Sequence, residues 1–229
     1  MTLLYIPQGS FQMGSKDGSI DDEKPAHTLF LDAFWIDQTD VTNAMFAGCV
    51  SAGKCKPPQF STSITRKSYY DNAQYADYPV IYIDWSQADA YCKWAGRSLP
   101  SEAQWEKAAR GTDGRTYPWG EGIDSSKANY NGSDTSKVGS YPDGASPYGA
   151  LDMAGNVGQW VADWYDSTYY QNSPQKNPTG PASGSSRVVR GGSWFSSDDG
   201  ARSARRDGDD PSDQINYLVG LRCSVSAAP

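Results

Sequence analysis

A chain of 229 residues with 38% hydrophobic and 13% aromatic residues can bury roughly 70% of its unfolded surface, and it reads as a single domain over 1–229. The net charge of −7 and the absence of any Lys/Arg run disfavour a nucleic-acid partner, because phosphate binding needs a concentrated basic field. No stretch approaches the ~18 consecutive apolar residues of a membrane span, and Met1–Tyr5 lacks a secretion signal's basic flank and apolar core. Membrane insertion is therefore not expected, and the default location is cytoplasmic.

In chain order, residues 3–6 and 28–39 alternate apolar and polar side chains like strands of a half-buried antiparallel sheet. Residues 42–52 suit a short helix capped by Thr42. Residues 86–95 suit a better one, with Ala88, Tyr91, Cys92 and Ala95 on one stripe and Gly96 ending it. The clearest helix signal begins at Ser101, where Ser101 and Gln104 form a capping box, Trp105, Ala108 and Ala109 face inward, and Gly111 closes the end. Residues 112–149 form a long turn-rich excursion. Strands return at 157–164 and 187–194.

The four cysteines fall into two plausible pairs, Cys49 with Cys55 and Cys92 with Cys223, as disulfides or as adjacent free thiols. A zinc site would need CxxC or clustered His, and His27 is the only histidine. It stands at the start of a strand, where a satisfied structural histidine is expected. Oxidation of both pairs would point to an oxidising compartment or a thermophilic host.

Between Arg190-Gly191-Gly192-Ser193-Trp194 and Gly220-Leu221-Arg222-Cys223 runs a segment without regular periodicity, residues 195–219. It is a patchwork of Ser, Asp, Gly, Arg, Asn and Tyr that cannot bury a continuous face, so it is expected on the surface, held at both ends. Arg202 and Arg205 are expected to be frame residues that pair with backbone or acids. The candidates for ligand contact are Phe195, Ser196, Ser197, Asp199, Gly200, Arg206, Asp207, Gly208, Asp210, Ile215, Asn216, Tyr217 and Leu218, with Phe195 and Tyr217 as aromatic anchors. No histidine stands ready to act as a base beside Ser193.

Several phrases together resemble the formylglycine-generating enzyme (sulfatase-modifying factor) family. They are IPQGSFQMGS at 6–15, EKPAH at 23–27, VTN at 41–43, WAGRSLPSEAQWE at 94–106, YPWG at 117–120, DMAGNV at 152–157, GGSW at 191–194 and GLRC at 220–223. The resemblance spans nearly the whole chain. It implies an α+β, C-type-lectin-like fold poor in regular secondary structure, with Cys92 and Cys223 at positions that form a structural bridge in the family. The family's enzymes hold copper with two cysteines shortly after the GGSW-like strand and use it to oxidise a substrate cysteine. Here that stretch is Phe195-Ser196-Ser197-Asp198-Asp199-Gly200, without a thiol, and a hydroxyl replaces thiolate poorly as a soft ligand. The implied chain is not an enzyme and carries no catalytic cofactor.

The family also implies a structural Ca²⁺ on Asp152, Gly155, Val157 and Gln159, where Gln159 replaces a usual Glu. A second site would involve Asn129 and Tyr130. The missing cysteines fit a further resemblance, to the variable proteins of diversity-generating retroelements, whose mutagenised segment lies between a GGSW-like and a GFR-like strand. Randomised adenines in their Asn codons exclude Lys, Glu, Gln, Met and Trp, and residues 195–219 contain none of these except Gln214. The implied function is a ligand-binding module whose variable face recognises a protein or cell-surface partner. The alternatives are a divergent oxidase of the formylglycine-generating type and a sensory domain of a bacterial kinase.

Overall fold

The computed structural model describes residues 1–16 and 20–227. Two hairpin-like units open the chain. Strand β1 (Leu3–Ile6) pairs antiparallel with β4 (Phe34–Asp37), and β2 (Gly9–Met13) pairs with β3 (His27–Leu31). The alternation expected over 28–39 is thus two strands, broken at Asp32-Ala33 as the chain passes from one sheet to the other. The last strand, β9 (Ser224–Ser226), adds to β4 and brings the C-terminal end beside the N-terminal one.

Three helices form where caps satisfy their first backbone N–H groups. Helix α1 (Asn43–Ser51) starts at Thr42, whose hydroxyl accepts from the Met45 N–H. Helix α2 (Trp85–Trp94) starts one residue earlier than expected, because Asp84 and Gln87 make a capping box. Helix α3 (Glu102–Arg110) has the expected Ser101/Gln104 box and ends at Gly111. Trp105, Ala108 and Ala109 are buried as expected, but so are Glu102, Glu106, Lys107 and Arg110. This helix runs through the interior, and its charges must be answered there.

The central sheet has the order β7-β6-β5-β8, built from β5 (Gly158–Trp164), β6 (Arg187–Arg190), β7 (Arg206–Asp209) and β8 (Val219–Leu221). Core lies on both of its faces, as the two-residue period of a strand allows. Val161 and Val188 pack with Trp105, Ala108 and the N-terminal strands, whereas Trp160 and Val189 pack with α1, α2 and Leu221. Both cysteine pairs are disulfides, Cys49–Cys55 between α1 and the loop that follows it and Cys92–Cys223 between α2 and the chain following β8. Among the described residues no helix is long and apolar enough to cross a membrane.

Candidate functional site

The frame at the end of β6 depends on two glycines. Gly191 and Gly192 both have positive φ, and a Cβ on Gly192 would lie 2.4 Å from the Gly200 carbonyl oxygen. The chain turns there, and Ser196 Oγ accepts from the Ser193 N–H at 2.9 Å. Backbone bonds from Gly132 to Trp194 and from Asn131 to Ser196 then tie the turn to the excursion loop.

The middle of the 195–219 segment is not a free loop. Arg190 is fully buried, and its guanidinium donates to the carbonyls of Ser203, Ala204 and Arg205 while pairing with Glu106 on α3. Three successive carbonyls are gathered around one cation, and the chain leaves them as β7, paired to β6 from Arg187↔Asp209 to Arg190↔Arg206. Arg206, expected at the ligand surface, is instead 2% exposed. It makes a bidentate pair with Glu102 at 2.7 and 3.0 Å, donates to the Asp22 carbonyl, and lies 4.1 Å from the Tyr170 ring centroid. Its place in a strand whose neighbours bond to β6 points it inward, and the two α3 carboxylates supply the counter-charge. Burial opposes ionisation of Glu102, but the Arg206 and Arg190 guanidinium groups outweigh it and hold that carboxyl below its usual range.

Arg202 and Arg205 are frame residues, as expected. Arg202 grips Glu23 through two 2.7 Å bonds and also bonds Asp199, while Arg205 pairs with Asp207 at 2.6 Å. Asp199 therefore turns toward a separate groove that it lines with Gln12, Lys16 and Arg202.

The remaining candidates divide between two features of one face. A pocket of about 190 Å³ is lined by Ser196, Asp207, Gly208, Asp209, Asn216 and Leu218 among others. Beside it Phe195 and Tyr217 belong to a row of rings that continues through Trp194, Tyr82 and Phe60. Phe195 is 67% and Ile215 66% exposed. Ser197 and Asp210 are exposed, and Gly200 is half-buried under the Gly192 turn. Phe60 and Tyr82 were not among the expected contact residues. Phe60 and Tyr82 come from loops distant in sequence that are stitched to the face by the bonds Gln59 N–H to Tyr82 O and Tyr82 N–H to Asn216 O. An aromatic in a Ser- and Thr-rich loop at Phe60 was the one local signal.

The residues expected to hold calcium are arranged otherwise. Gln159 Oε1 accepts from Trp105 Nε1 and Arg222 Nε, both at 2.6 Å, and Gln159 Nε2 donates to the Asp152 carbonyl. Both lone pairs of that oxygen are occupied, and the buried Arg222 guanidinium already places a positive charge beside Asp152 and Asp40. Gly155 has positive φ and a Cβ there would meet the Asn129 carbonyl oxygen at 2.2 Å, so its conformation serves close packing against Asn129. Asn129 donates to the Asp134 carbonyl, and the Asp134 carboxylate is bonded by Ser63, Thr65 and Arg66. Tyr130 is half-buried in a small apolar cluster with Tyr117 and Ala201. Among the described residues no group of three or more His, Cys, Asp or Glu side chains could hold a metal ion. With Gln159 so engaged, its side-chain oxygen has no lone pair left for Ca²⁺. Burial raises the Asp152 carboxyl to about 6, against the Gly139 N–H and Arg222, and burial also raises the nearby Asp40 carboxyl well above the usual carboxylate range.

His27 begins β3 with Nδ1 at 2.8 Å from the Pro25 carbonyl and its ring edge-on to Tyr170, and Nε2 is buried without a hydrogen-bond partner among the described residues. The histidine is structural and half-satisfied.

A family model of the sulfatase-modifying factor enzyme 1-like domain matches residues 1–227. The serine/threonine-protein kinase pkn1 of Chlamydia caviae is 39% identical over 97% of this chain, which spans only 37% of that relative's length. The formylglycine-generating enzyme of Streptomyces coelicolor is 33% identical over 98% of this chain and 89% of its own. Among solved structures, Treponema denticola variable protein 1 superposes with a TM-score of 0.81 at 26% identity, covering 98% of this chain and 95% of that one. The C-type-lectin-like α+β fold expected from the sequence is the fold observed.

Proposed function

The chain belongs to the sulfatase-modifying factor enzyme 1-like family, and from that premise we propose that it is a non-catalytic ligand-binding domain of the variable-protein kind, displaying the face around Phe195 and Tyr217 to a protein or cell-surface partner. One observation carries the reading: all four cysteines are engaged in two disulfides, so the turn after Trp194 offers Ser196 and Ser197 where copper chemistry would require thiolates. The buried frame beneath that turn supports the same view. Arg190, Arg206, Glu102 and Glu106 neutralise one another inside, which leaves the outer side chains free to differ without unfolding the domain. Two disulfides favour an oxidising compartment over the cytoplasm.

The test has two arms. With Cu(I), oxygen and a Cys-containing peptide the protein is expected to produce no formylglycine by mass spectrometry, and conversion of the peptide would overturn the reading. In the second arm, peptides selected by phage display on the wild-type protein are expected to lose binding to a Phe195→Ala/Ile215→Ala variant. Selected peptides that bind both proteins equally would place recognition elsewhere.

A second reading is favoured by the 39% identity to a kinase of which this domain spans 37%. In it the same face is the sensor of a larger signalling protein. A reading frame that also encodes a kinase catalytic domain would favour it.

A further inference from the structure

Five rings run as one row across the candidate face. Phe60 meets Tyr82 edge-on at 5.1 Å between centroids, Tyr82 meets Tyr217 at 6.1 Å, Tyr217 stacks on Trp194 at 6.1 Å, and Trp194 meets Phe195 at 5.6 Å. Both ends are wet, with Phe195 67% and Phe60 45% exposed, and Ile64 and Ile215 also stand out into solvent. Trp194, buried mid-row, has an indole N–H with no acceptor among the described residues.

Charge decides what covers this row. In the adjacent pocket the Asp207 carboxylate is answered by Arg205. The Asp209 carboxylate accepts from Asn216 Nδ2 at 2.6 Å and from the Asp210 N–H at 2.8 Å, but no cation lies within ion-pairing distance among the described residues. Burial, with a smaller contribution from the nearby Asp213 and Asp210 charges, raises the Asp209 carboxyl above its usual range. Three residues from Phe195, the Asp198 carboxylate is met, among the described residues, by the Asn131 amide alone. Uncompensated charge beside the pocket and near Phe195 is therefore negative. A second copy of the chain, also at −7, would bring the same acids against them. Ring faces and carboxylates share one preference, for cations.

We propose that the row from Phe60 to Phe195 and the Asp209 pocket dock a basic peptide segment with interspersed apolar residues. A Lys or Arg head group enters the pocket against Asp209, and its apolar neighbours lie on the rings. The proposal rests on the ligand-binding reading of this face and names the chemistry of its partner.

The experiment is fluorescence anisotropy with three labelled peptides of alternating composition, Lys/Leu, Glu/Leu and Ser/Leu, at low and at physiological salt. The Lys/Leu peptide is expected to bind and to weaken with salt. Asp209→Asn is expected to weaken it roughly tenfold, the loss of one charge-assisted bond, and Phe195→Ala by about fivefold or more, both with unchanged thermal melting. Binding of Glu/Leu or Ser/Leu as tightly as Lys/Leu, or an Asp209→Asn variant that binds like wild type, overturns the proposal while leaving the ligand-displaying face in place. So does a dimer in sedimentation that Phe195→Ala dissolves, since a second copy then covers the row. Copper-dependent oxidation of a Cys peptide would instead remove the functional reading beneath it.

Discussion

Replacing Glu102 with Gln removes the charge that holds β7 from below. Glu102 meets Arg206 through bonds of 2.7 and 3.0 Å and lies 3.7 Å from Arg190, and all three side chains are essentially without solvent. In Glu102→Gln the Arg206 guanidinium stays buried with carbonyls and a ring but no full counter-charge. Leaving one member of a buried pair uncompensated costs about 3–5 kcal/mol. For a chain of this size each kcal/mol moves the midpoint by roughly 2–4 °C, so a fall of roughly 6–20 °C is expected. Urea unfolding followed by tryptophan fluorescence measures the free energy directly. The Glu102→Met/Arg206→Met double variant is expected to lie closer to wild type than Glu102→Gln, since it removes the stranded cation along with its partner. Glu102 has a folded pKa below its unfolded one, so its contribution is present above the unfolded carboxylate range and is lost as pH falls through the folded value. The gap between wild type and Glu102→Gln should therefore close in acid. A Glu102→Gln variant within about 1 kcal/mol of wild type at neutral pH, below the cost of breaking such a pair, would refute the reasoning.

Asp163, buried and bonded by the Glu102 N–H, is pushed up to about 8 by burial and by the Glu102 charge. The folded state then holds its proton more tightly than the unfolded state between the ordinary carboxylate range and pH 8, so stability falls with rising pH across that window; Asp163→Asn should gain on wild type by about 1.4 kcal/mol per pH unit between pH 5 and 7, and parallel curves would contradict this. The Cys92–Cys223 bridge closes 131 residues and the Cys49–Cys55 bridge six. On the chain-entropy model their removal as Cys→Ala pairs costs about 5 and about 2 kcal/mol respectively, and equal losses in urea melts would argue that strain or packing dominates. Phe195→Ala and Ile215→Ala, at exposed positions, should each change stability by no more than about 0.5 kcal/mol, and a larger loss would show those side chains to be part of the frame.

Helix α3 was legible because its signals are local: Ser101 and Gln104 three apart, an apolar stripe, and a glycine at the end. Helix α2 was legible by its stripe, but its start was misplaced because Ser86 resembles a cap as well as Asp84 does, and only the reciprocal bond from Gln87 separates them. Strand β7 was not legible. Arg206-Asp207-Gly208-Asp209 has no apolar alternation, and its pairing is set by Arg190 collecting three carbonyls just before it, a tertiary cause. Arg206 lies inside for the same tertiary reason, against the ordinary exposure of charged side chains. A usable signal existed in α3 itself. Glu102 and Glu106 are one turn apart and flank Trp105 on a helix whose capping and stripe already mark it as interior, so two buried carboxylates demanded two arginines from elsewhere.

That interior electrostatic frame separates what the chain must keep from what it can vary. Arg190 and Arg222 stand just before and just after the segment, both fully buried, and each gathers backbone carbonyls: Arg190 those of 203–205, Arg222 those of Asp37 and Leu151. A guanidinium bound to carbonyls fixes the path of the main chain without regard to the side chains that path carries. Phe195, Ser197 and Ile215 can therefore change identity while the turn, β7 and the return to β8 keep their positions. A metal-centred active site has the opposite requirement, since its ligands are side chains and few substitutions preserve them. A face whose geometry is set by buried arginines acting on backbone is better suited to holding interchangeable contacts than to holding a reacting ion, and that is the physical ground of the recognition function proposed above.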